Sequence, residues 1–257
     1  MAYRRTQRET ARLAARHEAI VAAARRLACE SGLGAVQIAP VAERAGIAAG
    51  TVYRYFPSKD DLVAAVVSAA TEREVAAIRA AAAAAPGALS GLAAAIMAFA
   101  SGTLRARRLA FAMLSEEPPP CLPRLPPHPP PQSAEGKSIN RSPLAGEGKS
   151  TKPPPLAGEG REGAGRLTFR RKVGGEFEGL IRAAMAAGHL PDQPPAAMAA
   201  GIIGATVEGL VGPLAPAPAG PEAERAAVQE ITLFALRALG VADARARGLV
   251  MSVASNR

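Results

Sequence analysis

An all-α fold is predicted by three features of this 257-residue sequence. Alanine and leucine dominate the long segments while β-branched runs are scarce, a composition that favours helix over strand. Apolar residues recur three and four apart in segment after segment, the spacing of one helix face. Glycine and proline then punctuate the periodic stretches, as at Gly32, Gly46, Pro57 and Pro86-Gly87.

The helical pattern begins near Gln7, where Leu13, Ile20, Ala24 and Leu27 recur at near-helical spacing. Arg8, Arg12, Arg16, Arg25 and Arg26 lie mostly elsewhere on the wheel. Gly32 and Gly34 end this helix. A short second helix is expected from Ile38 to Ala45, closed by Gly46, and a third from Ala49. Pro57 breaks the third, and Ser58 caps a fourth that runs from Lys59 toward Ala83. Two more helices fit residues 88–101 and 103–117, and the pattern resumes over 166–187, 195–212 and 221–239.

Between them the text changes character. Thirteen of the 23 prolines fall between Pro118 and Pro155, and helical periodicity vanishes there. Such a segment cannot bury enough apolar surface to order itself, so a disordered Pro/Gly-rich insertion is expected over 118–165. It repeats itself as well: Pro143-Leu-Ala-Gly-Glu-Gly148 returns as Pro155-Leu-Ala-Gly-Glu-Gly160. The expected organisation is therefore a three-helix amino-terminal head (1–70), a helical carboxy-terminal domain in two parts (71–117 and 166–240) around the insertion, and a weakly patterned tail (241–257).

The formal net charge of +9 is unevenly placed. Residues 1–70 hold ten basic against six acidic groups, residues 118–172 ten against four, and residues 173–257 six against eight. The head and the insertion are thus the basic parts. Cys29 and Cys121 are too few and too far apart for a metal quartet or a disulfide framework, which points to a reducing, cytoplasmic setting. The Arg-rich start lacks the apolar core of a secretory signal, and no apolar run is expected to reach a membrane span of roughly 18–20 residues.

The stretch Thr51-Val-Tyr-Arg-Tyr-Phe-Pro-Ser-Lys59 holds two of the three tyrosines, in a chain without tryptophan. On a helix, Val52 and Phe56 share one face, while Thr51, Arg54 and Tyr55 share another with Tyr53 on the flank. The first pair suits a core. The second set suits a polar partner: Thr and Tyr hydroxyls donate to phosphates, and Arg clasps a phosphate or reads a base edge. Lys59 adds a point charge at the start of the next helix. A basic first helix followed by helix, short turn and polar-aromatic helix describes a helix-turn-helix.

The run "VAERAGIAAGTVYRYFPSKDDLVAAV" resembles the DNA-binding signature of the TetR family of bacterial transcriptional regulators. The likeness extends from about Arg16 to Val67. It implies that residues 36–55 form the helix-turn-helix, with Gly46 in the turn and Gly50 opening the recognition helix. By the same resemblance Thr51, Tyr53, Tyr55 and Lys59 meet DNA, mostly phosphates, and Ala49 and Arg54 fall where sequence is read. Two positions depart from the pattern: Val36 replaces a capping Thr or Ser, and Pro40 enters the first turn of the second helix.

Enzymatic motifs are absent or accidental. Gly158-Glu-Gly160-Arg-Glu-Gly163 has dinucleotide-fingerprint spacing but follows no strand, and Pro143-Leu-Ala-Gly-Glu-Gly-Lys149-Ser150 lacks the first glycine of a phosphate loop. His17, His128 and His189 are scattered, with His17 expected on a solvated helix face. No catalytic group, metal site or cofactor is therefore expected.

In the family, the variable helical domain dimerises and senses a ligand. Gly201, Gly204 and Gly209 beside Val207 would let a partner helix approach, and Val228, Ile231 and Leu236 supply a facing stripe. Doubled by a twofold axis, these two helices would form a four-helix bundle, with an intramolecular core as the alternative. Met97, Phe99, Phe111, Met113, Phe169, Phe177 and Met185 could line an apolar cavity or simply fill the core. The expected partners are a palindromic double-stranded DNA operator, a second copy of the chain and a small apolar or amphipathic effector, with no membrane. The competing expectation is a regulator without small-molecule sensing.

Overall fold

The computed structural model describes residues 2–114, 159–213, 215–216 and 218–255. Among these residues the secondary structure is ten α-helices and one 3-10 turn, with no strand. The head comprises α1 (Ala2–Ser31), the 3-10 turn (Leu33–Ala35), α2 (Ile38–Ala45) and α3 (Ala49–Tyr55). The body follows as α4 (Lys59–Ala84), α5 (Ala88–Arg105), α6 (Arg107–Leu114), α7 (Glu159–Ala186), α8 (Pro195–Leu210), α9 (Pro221–Ala238) and α10 (Asp243–Ser255). The expected insertion lies outside the described residues through 158. Its last residues, 159–165, belong instead to the first turns of α7.

The head folds around Ile20 and Ala24 of α1, Val36, Val41 of α2, and Val52 and Phe56 at the end of α3. Leu62, Val63 and Val66 of α4 close this core from below. Leu13 is 51% exposed rather than part of the stripe, because α1 extends beyond the helices that cover it. Val36 gives up a cap but fills the core completely, and α2 starts after Gln37 without a side-chain cap. Pro40 costs no helical hydrogen bond. It is the third residue of α2, where an N–H has no acceptor within the helix in any case.

In the body, α5 is the central helix, packed by α4, α7, α8, α9 and α10. Leu92, Ile96 and Phe99 on it are fully buried, and Phe99 meets Phe177 of α7 edge-on at 5.6 Å between ring centroids. By length and composition alone α5 would cross a membrane, contrary to the sequence expectation, because its alanines read as an apolar run. Most of it is covered by the other helices, as a core helix requires. The break between α5 and α6 falls at Ala106, not near Gly102. Gly102 instead stays helical, where a Cβ would stand 2.7 Å from both carboxylate oxygens of Glu74 on α4.

Arg79 of α4 grips Glu176 of α7 through two nitrogens, at 2.8 and 2.6 Å. Three buried threonines, Thr71, Thr206 and Thr232, each donate to the carbonyl four residues earlier, so their hydroxyls cost the core little. The expected tail is a helix. Ala246 and Val250, one turn apart, turn inward on α10, and Asp243 in its first turn receives Arg237 and Arg247. Alanine and arginine at alternate positions had hidden that periodicity.

Candidate nucleic-acid interface

The turn between α2 and α3 is set by Gly46, whose φ of 67° lies in the left-handed region. Its N–H donates to Glu43 O at 3.1 Å, and Ile47 N–H reaches back to Ala42 O at 3.0 Å. That pair of bonds ends α2 in a Schellman turn and fixes the angle at which α3 leaves. Ala48 then holds extended backbone ahead of α3, and its carbonyl accepts from Thr51 N–H at 2.8 Å.

Helix α3 divides its residues as the spacing requires. Val52 is fully buried and Phe56, at its end, nearly so. Tyr53 is 55% exposed, and Gly50 and Arg54 are exposed beside it. Ala49, Thr51 and Tyr55 are half-buried. Tyr55 also packs against the head core. Nothing within 4 Å would meet a Cβ on Gly50, which leaves an open surface at the start of the helix.

Lys59 stands exposed at the first position of α4. Ser58 caps this helix: its Oγ accepts from Asp61 N–H at 3.1 Å and its hydroxyl donates to Asp61 Oδ2 at 2.7 Å. The reciprocal cap holds the turn that presents Lys59 next to α3. Tyr53 and Arg54 on α3 and Lys59 at the start of α4 are thus exposed, with Thr51 and Tyr55 half-buried. Such a surface can grip a phosphate backbone and offer Arg54 to a groove.

Two features of the head escaped the sequence reading. His17, though exposed, lays its ring on Phe56 with centroids 4.8 Å apart and comes within 6.5 Å of Tyr55. It thereby ties α1 to the end of α3. Glu30 of α1 receives Arg44 of α2 at 2.6 Å on both carboxylate oxygens, and that hydrogen bond holds the Glu30 carboxyl below its usual range. The pairs are far apart in sequence and carry no periodic signal.

The other candidate residues separate. On α8, Gly201 is exposed and Gly204 half-buried, with open space at both, whereas Val207 lies in the core. Gly209 is exposed, but a Cβ there would stand 2.9 Å from Ile231 of the same chain. Val228 and Leu236 are buried and Ile231 half-buried, while Phe234 on α9 is 56% exposed. Met97, Phe99, Met113, Phe169 and Phe177 are buried, Met185 is half-buried, and Phe111 is 43% exposed. Of these seven only Met97 lines a cavity of about 340 Å³, which opens between α5, α9 and α10. Among the described residues no group of acids, histidines and cysteines is arranged to hold a metal.

Residues 20–66 match the model for bacterial regulatory proteins of the tetR family. Over 58 residues the chain is 47% identical to the HTH-type transcriptional repressor KstR of Rhodococcus jostii, which is 23% of this chain and 27% of that protein. The match to this relative therefore spans about a quarter of its length. The described fold is similar to that of a TetR/AcrR-family transcriptional regulator from Thermobifida fusca, with a TM-score of 0.55 at 20% identity over 86% of this chain and 96% of the other. It is similar also to FadR of Bacillus subtilis in complex with stearoyl-CoA, with a TM-score of 0.52 at 15% identity over 92% and 96%. At such identities the likeness is one of fold.

Proposed function

We propose, from the match of residues 20–66 to the model for bacterial regulatory proteins of the tetR family, that the chain is a homodimeric, sequence-specific DNA-binding repressor released by an apolar or amphipathic small molecule. The observation that carries the reading is the division of α3, which buries Val52 while Tyr53 and Arg54 stand exposed beside Lys59. In this reading Thr51, Tyr53, Tyr55 and Lys59 hold phosphates, Ala49 and Arg54 face base edges, and Gly50 permits close approach. A single seven-residue helix reads few base pairs, so two heads on a palindromic operator are needed for specificity. The working compartment would be the bacterial cytoplasm, at the nucleoid when DNA is bound.

The small-molecule arm is supported by the cavity beside α5 and by the stearoyl-CoA complex of a protein of similar fold. The filled interior at Phe99 and Phe177 favours the competing reading of a regulator without such control. Selection of genomic fragments by the purified protein tests the DNA reading. Enrichment of a twofold-symmetric sequence is expected, and retention of fragments without sequence preference would refute it. Release of that DNA by members of an apolar compound panel then separates the two readings of the body.

A further inference from the structure

The cavity between α5, α9 and α10 is not the Phe/Met interior that the sequence suggested, and its walls have their own chemistry. Met97 and Leu104 of α5 and Val228 of α9 form an apolar side. Arg105 at the end of α5 and Arg225 in the second turn of α9 stand on the polar side with Gln229. Among the described residues neither arginine makes an ion pair. Glu224 shares the rim, so among the lining residues two guanidinium groups face one carboxylate; Glu74, which Arg105 also reaches, is raised to about 7, and below that value its protonation leaves one positive charge over.

We infer that this cavity binds a small amphipathic monocarboxylate, its headgroup between Arg105 and Arg225 and its chain along Met97, Leu104 and Val228. The volume of about 340 Å³ is at the small end of ligand pockets, which suits a medium-chain acid rather than a large cofactor. A guanidinium meets a carboxylate with two parallel hydrogen bonds, which a neutral headgroup cannot reproduce. The single surplus charge matches a monoanion, whereas a phosphate dianion would remain uncompensated beside Glu224. Arg105 is also the cation whose charge reaches Glu74 on α4. An anion on Arg105 would therefore be felt by the helix that leads out of the head. That last link rests on the ligand-controlled reading above, while the site itself does not.

Octanoate, octanol and octylamine share one tail and differ in headgroup, and their effect on thermal unfolding of the full chain tests the site. Octanoate should raise the melting temperature with concentration, and octanol and octylamine should do so far less. Arg105→Gln and Arg225→Gln should each weaken octanoate binding by roughly tenfold or more, the loss expected for a charge-assisted hydrogen bond. Because the chain has no tryptophan, Ala254→Trp on the cavity rim supplies a fluorescence reading of occupancy that does not depend on stability. No response to octanoate, an equal response to octanol, or binding that persists in both arginine variants would overturn the site. An apolar compound that releases DNA equally from the wild type and both variants would overturn the link from this site to DNA release, while leaving ligand control of DNA binding intact.

Discussion

The guanidinium of Arg108 on α6 donates to the main-chain carbonyl of Glu30, one residue before α1 ends. A cation there satisfies a carbonyl that the helix itself leaves free and lies at the negative end of its dipole. Glu30 simultaneously holds Arg44 of α2 through its carboxylate. One residue of the head thus joins α2 on one side and the body on the other.

Removing the first of these links should loosen the junction without unfolding it. In Arg108→Ala, amide hydrogens of Gly32 and Val36, which close the turn after α1, should exchange faster, with helix content by circular dichroism unchanged. Equal exchange in variant and wild type would show that the contact holds nothing in place.

Lys59→Ala and Tyr53→Phe should weaken binding to every DNA sequence, since both would remove the proposed phosphate contacts. Loss of the lysine charge should also make the dependence of log K on log salt shallower by about 0.9. Arg54→Ala should instead change the ranking of sequences, by about 1–3 kcal/mol at the base it is proposed to read. These effects are separable by titrating operator and scrambled DNA at several salt concentrations. An Arg54 variant that weakens both equally would move that residue to the backbone set.

Glu74 predicts a pH dependence of stability. Burial against α5 raises its carboxyl to about 7, with Arg105 partly opposing the rise, and its Oε1 has no hydrogen-bond partner. The folded chain therefore binds this proton more tightly than the unfolded chain, whose glutamate titrates near its ordinary value of 4.5. Stability is unaffected below that value, falls as pH rises toward about 7, and is flat beyond it. Glu74→Gln should abolish this slope and gain about 1–3 kcal/mol at pH 8, a range discounted for the partial exposure of the side chain. Urea unfolding of both proteins across that range measures it; parallel curves would refute the burial of the charge.

Gly204→Leu isolates the proposed dimer contact better than Gly209→Leu. A Cβ at Gly204 meets nothing in its own chain, while one at Gly209 runs into Ile231. Loss of dimer in a Gly204 variant that keeps its helix content then points to a partner, and overpacking there should cost at least about 1–3 kcal/mol. Sedimentation at micromolar concentration, with operator affinity measured in parallel, reports the result. A variant that remains dimeric with full DNA affinity would place the interface elsewhere.

The head was legible because its signals are local. Gly46 has one backbone task, Ser58 one cap, and Val52 and Phe56 one shared face, all within a few residues. The body was legible as helices but not as neighbours. Periodicity gives the inward face of α5 or α9, yet whether Val228 meets another copy, a ligand or Met97 depends on how distant helices dock. Hence the seven Met and Phe residues split between core, rim and surface, and the cavity drew on residues as far apart as Met97, Arg225 and Ala254. The closing helix α10 was missed because only Ala246 and Val250 on it are fully buried, too thin a stripe among arginines to read as amphipathic.

Gly102 leaves the volume in which the Glu74 carboxylate rests. A methyl group at that position would evict the carboxylate, and the route open to a half-buried side chain leads to water. Gly102→Ala would then lower the proton affinity of Glu74 toward that of any surface acid, without altering the acid itself. The two positions are one locus in genetic terms: changes at either should mask changes at the other. Here the acid strength of one residue is written in the missing atom of another.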